Sequence, residues 1–317
     1  MKKPRRRFLQ STAVAAAGLA MPCDSGASPQ ESPRATSAAQ EKKALLPTLR
    51  LGKHEVTRLI IGANPFYGYS HFNRLFSQHM VEWATTERVC QTLRQCQQQG
   101  INTWQFSHNP RSLADIRRHR EEGGKLQWIL LSSREMEENL DKLGELAKLG
   151  PIGMVHHGGT AERRWRAGEQ SKVREFLKRV RDAGVMVGLS LHNPSILEEV
   201  ESENWDIDFY MTAVYYLTRT QEQFEKVLGQ RPLGEVYLPQ DPPRMFRAIR
   251  QTRKTCLCYK VLAAGRLTDR PEEIDQAFRT TFQNIKPQDG MIIGMYPRYI
   301  DQVADNAARV RRILGVA

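Results

Sequence analysis

Apolar positions in this chain recur with two alternating periods. From Pro47 onward, short runs rich in Ile, Val, Leu and aromatic residues are each followed by a longer stretch in which apolar residues return every third or fourth position. The first pattern marks buried strands and the second amphipathic helices. A hairpin comes first, Thr48 to Leu51 and Val56 to Ile60 around Gly52 and Lys53. Strands then fall at Leu59 to Ala63, Asn102 to Phe106, Leu126 to Ser132, Ile152 to His156, Val185 to Leu191, Ile207 to Val214, Thr255 to Val261 and Gly290 to Met295. Helical stretches between them cover Thr86 to Gln99, Met136 to Leu149, Ser171 to Ala183, Pro194 to Glu203, Gln221 to Leu228, Pro243 to Gln251, Pro271 to Gln283 and Ile300 to Leu314. Strict alternation implies parallel pairing, and eight repeats imply closure. The expected fold is α/β: a (β/α)8 TIM barrel over residues 47–317 with an N-terminal β-hairpin cap, an open doubly wound sheet being the alternative.

The first residues break this pattern. Met1 to Gln10 is strongly basic, and an alanine-rich, mildly apolar stretch follows from Ser11 to Met21. That reads as a signal peptide over residues 1–30, followed by a polar linker over 31–46 too poor in apolar side chains to order itself. The apolar stretch is too short and too rich in Ala and Gly for a stable membrane span. The Arg5-Arg6-Arg7-Phe8-Leu9-Gln10 string resembles the twin-arginine export motif, which implies the export machinery as partner, passage of already folded cargo, and a periplasmic or extracellular destination. Pro22 stands where a lipid anchor at Cys23 wants a small residue, which argues against acylation there.

Charge adds little to this picture. Of the formal +12, residues 1–46 carry +5 and the body +7, with the body's basic side chains interleaved with Glu and Asp on helix-like stretches. This is a solvated face, not a nucleic-acid surface. Cys90, Cys96, Cys256 and Cys258 lack metal-finger spacing and read as small buried apolar residues.

In a (β/α)8 barrel the chemistry sits at the C-terminal ends of the strands and in the loops after them. Those points carry Asn64 to His71, Gln105 to Pro110, His156 to Gly159, His192 to Pro194 and Lys260 to Arg266, and with them five of the eight histidines. Histidine is costly to bury unpaired, so this concentration points to chemistry or binding at one rim, for a small-molecule substrate. The Asn-Pro pairs after His108 and His192 also read as simple turn and helix-start signals.

The hairpin with Leu51-Gly52-Lys53, the Arg58-Leu59-Ile60-Ile61-Gly62 run, Gly100-Ile101-Asn102, His156, and Gly188-Leu189-Ser190 together resemble the aldo/keto reductase family over nearly all of the body. Ile293-Gly294 followed by Arg298, Gln302, Asp305 and Asn306 is the most specific match. The resemblance implies NADP as cofactor. It places Ser190, Tyr216, Lys260, Gly265 and Arg266 near the nicotinamide and pyrophosphate, and Arg298, Gln302 and Asn306 at the adenosine phosphate end. An arginine near a helix start suits a phosphate, since bidentate donors and the helix dipole act together.

Of the family's catalytic set, only the histidine after the fourth strand is present, as His156. Gln105 stands in place of the aspartate, Pro110 near the tyrosine and Ser133 near the lysine. Carbonyl reduction then lacks its usual proton donor. Two repairs follow. A rim group such as His156, His108, Tyr67 or Tyr69 serves as acid or base beside Gln105 in a hydride transfer on a small, carbohydrate-like substrate. Alternatively, His108, His156 and His192 converge on a divalent metal, near Gln105, Asn109 or Asn193, for hydrolysis, elimination or isomerisation. A Ser107-His108 or Ser190-His192 nucleophile lacks an evident acid. A ligand-binding barrel without chemistry stands outside all of these.

Overall fold

The computed structural model describes residues 43–316; the signal peptide and most of the linker lie outside the described residues. Two short strands, β1 (Thr48–Leu51) and β2 (His54–Thr57), pair antiparallel. Eight more follow: β3 (Leu59–Gly62), β4 (Thr103–Ser107), β5 (Gln127–Leu131), β6 (Gly153–His156), β7 (Met186–Leu191), β8 (Phe209–Ala213), β9 (Thr255–Tyr259) and β10 (Gly290–Gly294). These eight pair in parallel in chain order, and β10 returns to β3 to close the barrel. The open sheet is thereby excluded.

Alternation along each strand divides the residues between two apolar environments. Ile60, Ile129, Val155, Phe209, Met211, Leu257 and Ile292 fill the interior with Leu49, Leu51 and Val56 of the hairpin. Their sequence neighbours Ile61, Trp128, Leu130, Met154 and Cys258 face the helix layer, as do Trp104 and Phe106 on either side of Gln105. The hairpin closes the N-terminal end: Leu49 packs on Gly290 and Met186 on Gly52, both at strand beginnings. In the interior, Phe209 lies over Gly153 and Gly188, where a Cβ would stand 2.9 and 2.7 Å from its ring.

Several elements differ from the sequence expectation for local reasons. The second arm of the hairpin stops at Thr57 because Arg58 turns the chain into β3, its N–H donating to Pro47 O and its guanidinium to Asp289 O. Residues 43–46, assigned to the linker, lie against the barrel, with Leu46 buried and its N–H on Gly100 O. Three helices went unpredicted: Arg74–Trp83, Pro110–Glu121 and Gly158–Arg166. Side chains cap each, Asn73, Asn109 and His157 accepting the N–H of Phe76, Ser112 and Thr160. The stretch expected as one helix over 136–149 breaks at Asn139 into Arg134–Glu138 and Lys142–Ala147. All four described cysteines are free and buried. Among the described residues no helix is long and apolar enough to cross a membrane.

Candidate functional site

Strand alternation also decides which side chains reach the C-terminal mouth. Gln105, Met211 and Tyr259 are inward positions near the ends of β4, β8 and β9, and all three line a cleft of about 340 Å³. The cleft runs outward past Lys260 and Gly265, over β10, to Gln302 and Asn306 on the last helix, Gln302–Leu314. Its middle is apolar, with Leu262, Ile274, Ile293 and Met80, and its two ends are polar. An apolar slot with a few convergent polar groups is the ordinary form of a small-ligand site.

At the inner end three loops meet in a charged cluster. Lys260 Nζ lies 3.2 Å from both ring nitrogens of His71. His71 Nδ1 lies 2.8 Å from Glu235 Oε1, and Asn64 Nδ2 lies 3.1 Å from His71 Nε2. Burial pushes the Lys260 ammonium down to about 8 against the opposing pull of Glu235, with Arg266 adding to the fall. Burial works against the Glu235 charge too, yet the hydrogen bond from His71 and the Lys260 ammonium outweigh it and hold the carboxyl at about 2. The loop after β9 is bent to present these groups: Lys260, Ala263 and Ala264 sit at φ of 62°, 48° and 52°, a left-handed region unfavourable to side-chain-bearing residues.

At the outer end Gln302 Oε1 accepts the N–H of Tyr296 at 2.7 Å, and Asn306 is buried. Asp305 also faces the cleft but pairs with Arg309 at 3.0 Å. Arg298 stands outside the lining, 2.9 Å from His79 Nε2, its guanidinium 5.4 Å from the Tyr299 ring centre.

The expected residues are thus only partly assembled. Gln105, Lys260, Gly265, Gln302 and Asn306 share the cleft, and Arg266 sits beside it, its guanidinium 4.3 Å from the Tyr237 ring centre. Ser190 is inward and buried, 3.0 Å from Tyr259 Oη. Tyr67 instead turns to helix Pro110–Glu121 and donates to Asp115 at 2.9 Å. His108 lies 2.8 Å from Ser133 Oγ, away from the cleft. Tyr216 borders a separate cavity of about 230 Å³, its ring covered by Arg219 at 4.4 Å.

His156 requires a correction. Val155 faces the barrel interior, so the next residue must face out, and His156 is fully buried in the helix layer, edge-on to Phe176 at 4.7 Å. It therefore does not reach the mouth, and the neighbouring His157 takes the inward phase. His157 caps helix Gly158–Arg166; burial, Arg163, and then the Lys260 and His71 charges lower its pKa. With His156 turned outward, His108, His156 and His192 do not converge. Among the described residues no group of three or more His, Cys, Asp or Glu side chains could hold a metal ion.

Sequence reasoning placed His71 and His157 at the rim without giving either a role, and passed over Glu235 and Tyr259. Period-2 counting from Leu257 would have marked Tyr259 as inward, whereas Glu235 lies in a loop with no local signature.

No protein-family model matches the chain, and no curated protein does. Among solved structures, a truncated 3-deoxy-D-arabino-heptulosonate 7-phosphate synthase from Thermotoga maritima is 12% identical, with 86% of this chain and 92% of that one covered at a TM-score of 0.49. The glycerol dehydrogenase AKR11B4 from Gluconobacter oxydans is 13% identical, with 85% and 95% covered and the same TM-score, 0.49. The likeness is one of fold. A Rubisco-like protein from Rhodopseudomonas palustris is more distant, at 10% identity and a TM-score of 0.39, covering 73% of this chain and 60% of that one.

Proposed function

We propose that this barrel is an oxidoreductase of aldo/keto reductase type that binds NADP along the cleft and acts on a small, polar, carbohydrate-like substrate at its inner end. The observation that carries this reading is the single continuous cleft joining the Lys260, His71 and Gln105 end to the Gln302 and Asn306 end. The residues present suit the cofactor. Lys260 at the inner end and Arg266 beside the cleft supply positive charge for a pyrophosphate, and the apolar Leu262, Ile274 and Ile293 slot suits a purine flanked by two amides. When bound, the nicotinamide supplies or takes the hydride. Export by the twin-arginine route, with the dinucleotide loaded in the cytoplasm, is proposed on the N-terminal sequence alone.

Titration of the purified chain with NADPH and NADH, followed by nicotinamide fluorescence, tests the reading, with divalent metal measured in the same preparation. NADPH is expected to bind more tightly than NADH, and Arg298→Ala to weaken NADPH several-fold while leaving NADH unchanged. Stoichiometric metal with no dinucleotide binding would sink the proposal.

A pH dependence follows from Lys260. The ammonium is charged below about 8 and neutral above it, so NADPH affinity falls as pH rises from 7 to 9. Glu235 stays ionised across that range, being held near 2. Lys260→Met is expected to bind more weakly at pH 7 and to show a flat profile; a sloping profile in that variant would assign the titration elsewhere.

A further inference from the structure

Behind the cleft wall lies a second run of polar groups that the cofactor reading does not use. Tyr259 lines the cleft, and its Oη lies 3.0 Å from Ser190 Oγ and 3.1 Å from His192 Nε2. His192 is an inward position just past β7, buried and edge-on to Tyr259 with ring centres 5.6 Å apart. Its other nitrogen, Nδ1, is buried with no hydrogen-bond partner and lies 3.8 Å from Glu162 Oε1. Glu162 is itself wholly buried on helix Gly158–Arg166, where its oxygens accept the N–H of His192 and Asn193 and the hydroxyl of Thr218. Tyr259 borders the cleft, and His192, midway along the run, borders the second cavity, of about 230 Å³.

A tyrosine that merely packs would need neither a buried imidazole nor a carboxylate behind that imidazole. Glu162 on the Nδ1 side favours the tautomer with its proton on Nδ1, leaving Nε2 to accept from the phenol. Ser190 then fixes the phenol oxygen from the other side.

We propose that Tyr259 is the catalytic residue that exchanges a proton with the substrate oxygen, and that His192 and Glu162 are positioning residues that relay it toward solvent. The proposal rests on the oxidoreductase reading above. In alcohol oxidation the substrate O–H bond breaks and its proton moves to Tyr259 Oη, while the phenol's own proton moves to His192 Nε2. The C–H electron pair leaves with its hydrogen as hydride to the oxidised nicotinamide, and the C=O bond forms. The imidazolium passes its Nδ1 proton to Glu162, whose other oxygen meets the half-buried Thr218 hydroxyl on the way to water; reduction reverses every step. Burial raises the Tyr259 phenol well above its ordinary range, and burial with the Lys260 charge lowers the His192 imidazole to about 3, so donor and acceptor both begin neutral and the imidazolium forms only during the transfer.

The test uses the full chain, NADPH, and 9,10-phenanthrenequinone as a carbonyl probe. Tyr259→Phe is expected to lower kcat at least ~100-fold, the scale of a lost general acid, with NADPH affinity unchanged. His192→Gln is expected to lower kcat about ten-fold with KM for the quinone unchanged. Nitrogen-15 spectra of histidine-labelled chain should show His192 protonated on Nδ1, with Nε2 moving toward the free, non-bonded position in Tyr259→Phe. A Tyr259→Phe protein that binds NADPH and keeps kcat within three-fold of the parent overturns the relay alone. A parent that binds no NADPH overturns the oxidoreductase reading, and with it the role of the relay. If the parent binds NADPH but does not reduce the quinone, the spectra decide: a His192 signal that ignores Tyr259→Phe overturns the relay, and one that moves supports it.

Discussion

Replacing Phe209 with alanine is expected to remove about 4 kcal/mol of unfolding free energy, measured by urea titration of the parent and the variant. Phe209 is fully buried in the barrel interior, and its ring occupies the space that Gly153 and Gly188 leave by having no side chain. Alanine would leave a void bounded by two glycines on stiff, paired strands, and neither backbone can move inward without breaking its ladder to Met186 or Phe209. The converse change probes the same space. Gly188→Ala puts a methyl group 2.7 Å from the Phe209 ring, so it destabilises the parent but costs less in the Phe209→Ala background. A double-mutant cycle reads that coupling directly, and additive losses would show that the ring does not rest on the glycine.

Loss of Glu162 is the second large effect. Glu162→Ala is expected to cost about 3 kcal/mol, because it strips the acceptor from the N–H groups of His192 and Asn193 in a buried turn. Glu162→Gln keeps a carbonyl oxygen for both and is expected to cost about 1 kcal/mol. The two variants also differ from the parent in pH response. Burial raises the Glu162 carboxyl above 4.5, so the folded state holds that proton more readily than the unfolded chain does. Its contribution to stability is therefore fully present below 4.5 and is lost as pH rises through the raised value. Glu162→Gln should lack that decline. If parent and Gln variant fall in parallel as the pH is raised from 4, the slope belongs to another group.

Much of the architecture was legible in the chain. The eight strand runs each fall within two or three residues of an observed strand, because a barrel wall buried on both faces demands continuous apolar runs. The Asn-Pro pairs did act as helix starts: Asn109 and Asn193 cap helices that begin at Pro110 and Pro194. Of the cleft residues, Gln105, Lys260, Gly265, Gln302 and Asn306 were visible because each sits at a strand end or on the last helix in a recognisable string.

Alternating hydrophobicity and the strand–helix rhythm by themselves determined the fold class and the rim on which polar groups gather, since both are local consequences of side-chain periods of 2.0 and 3.6. Only closure of the barrel decided which member of His156-His157 turns inward, because a strand's phase is set by its register against neighbours, Gly153 opposite Met186 and His156 opposite Leu189. Closure alone likewise brought Tyr259 against His192, 67 residues away, and Glu235 against His71, 164 residues away. Such contacts depend on three-dimensional packing between loops that share no sequence pattern, and so these pairings were hidden while the frame was plain.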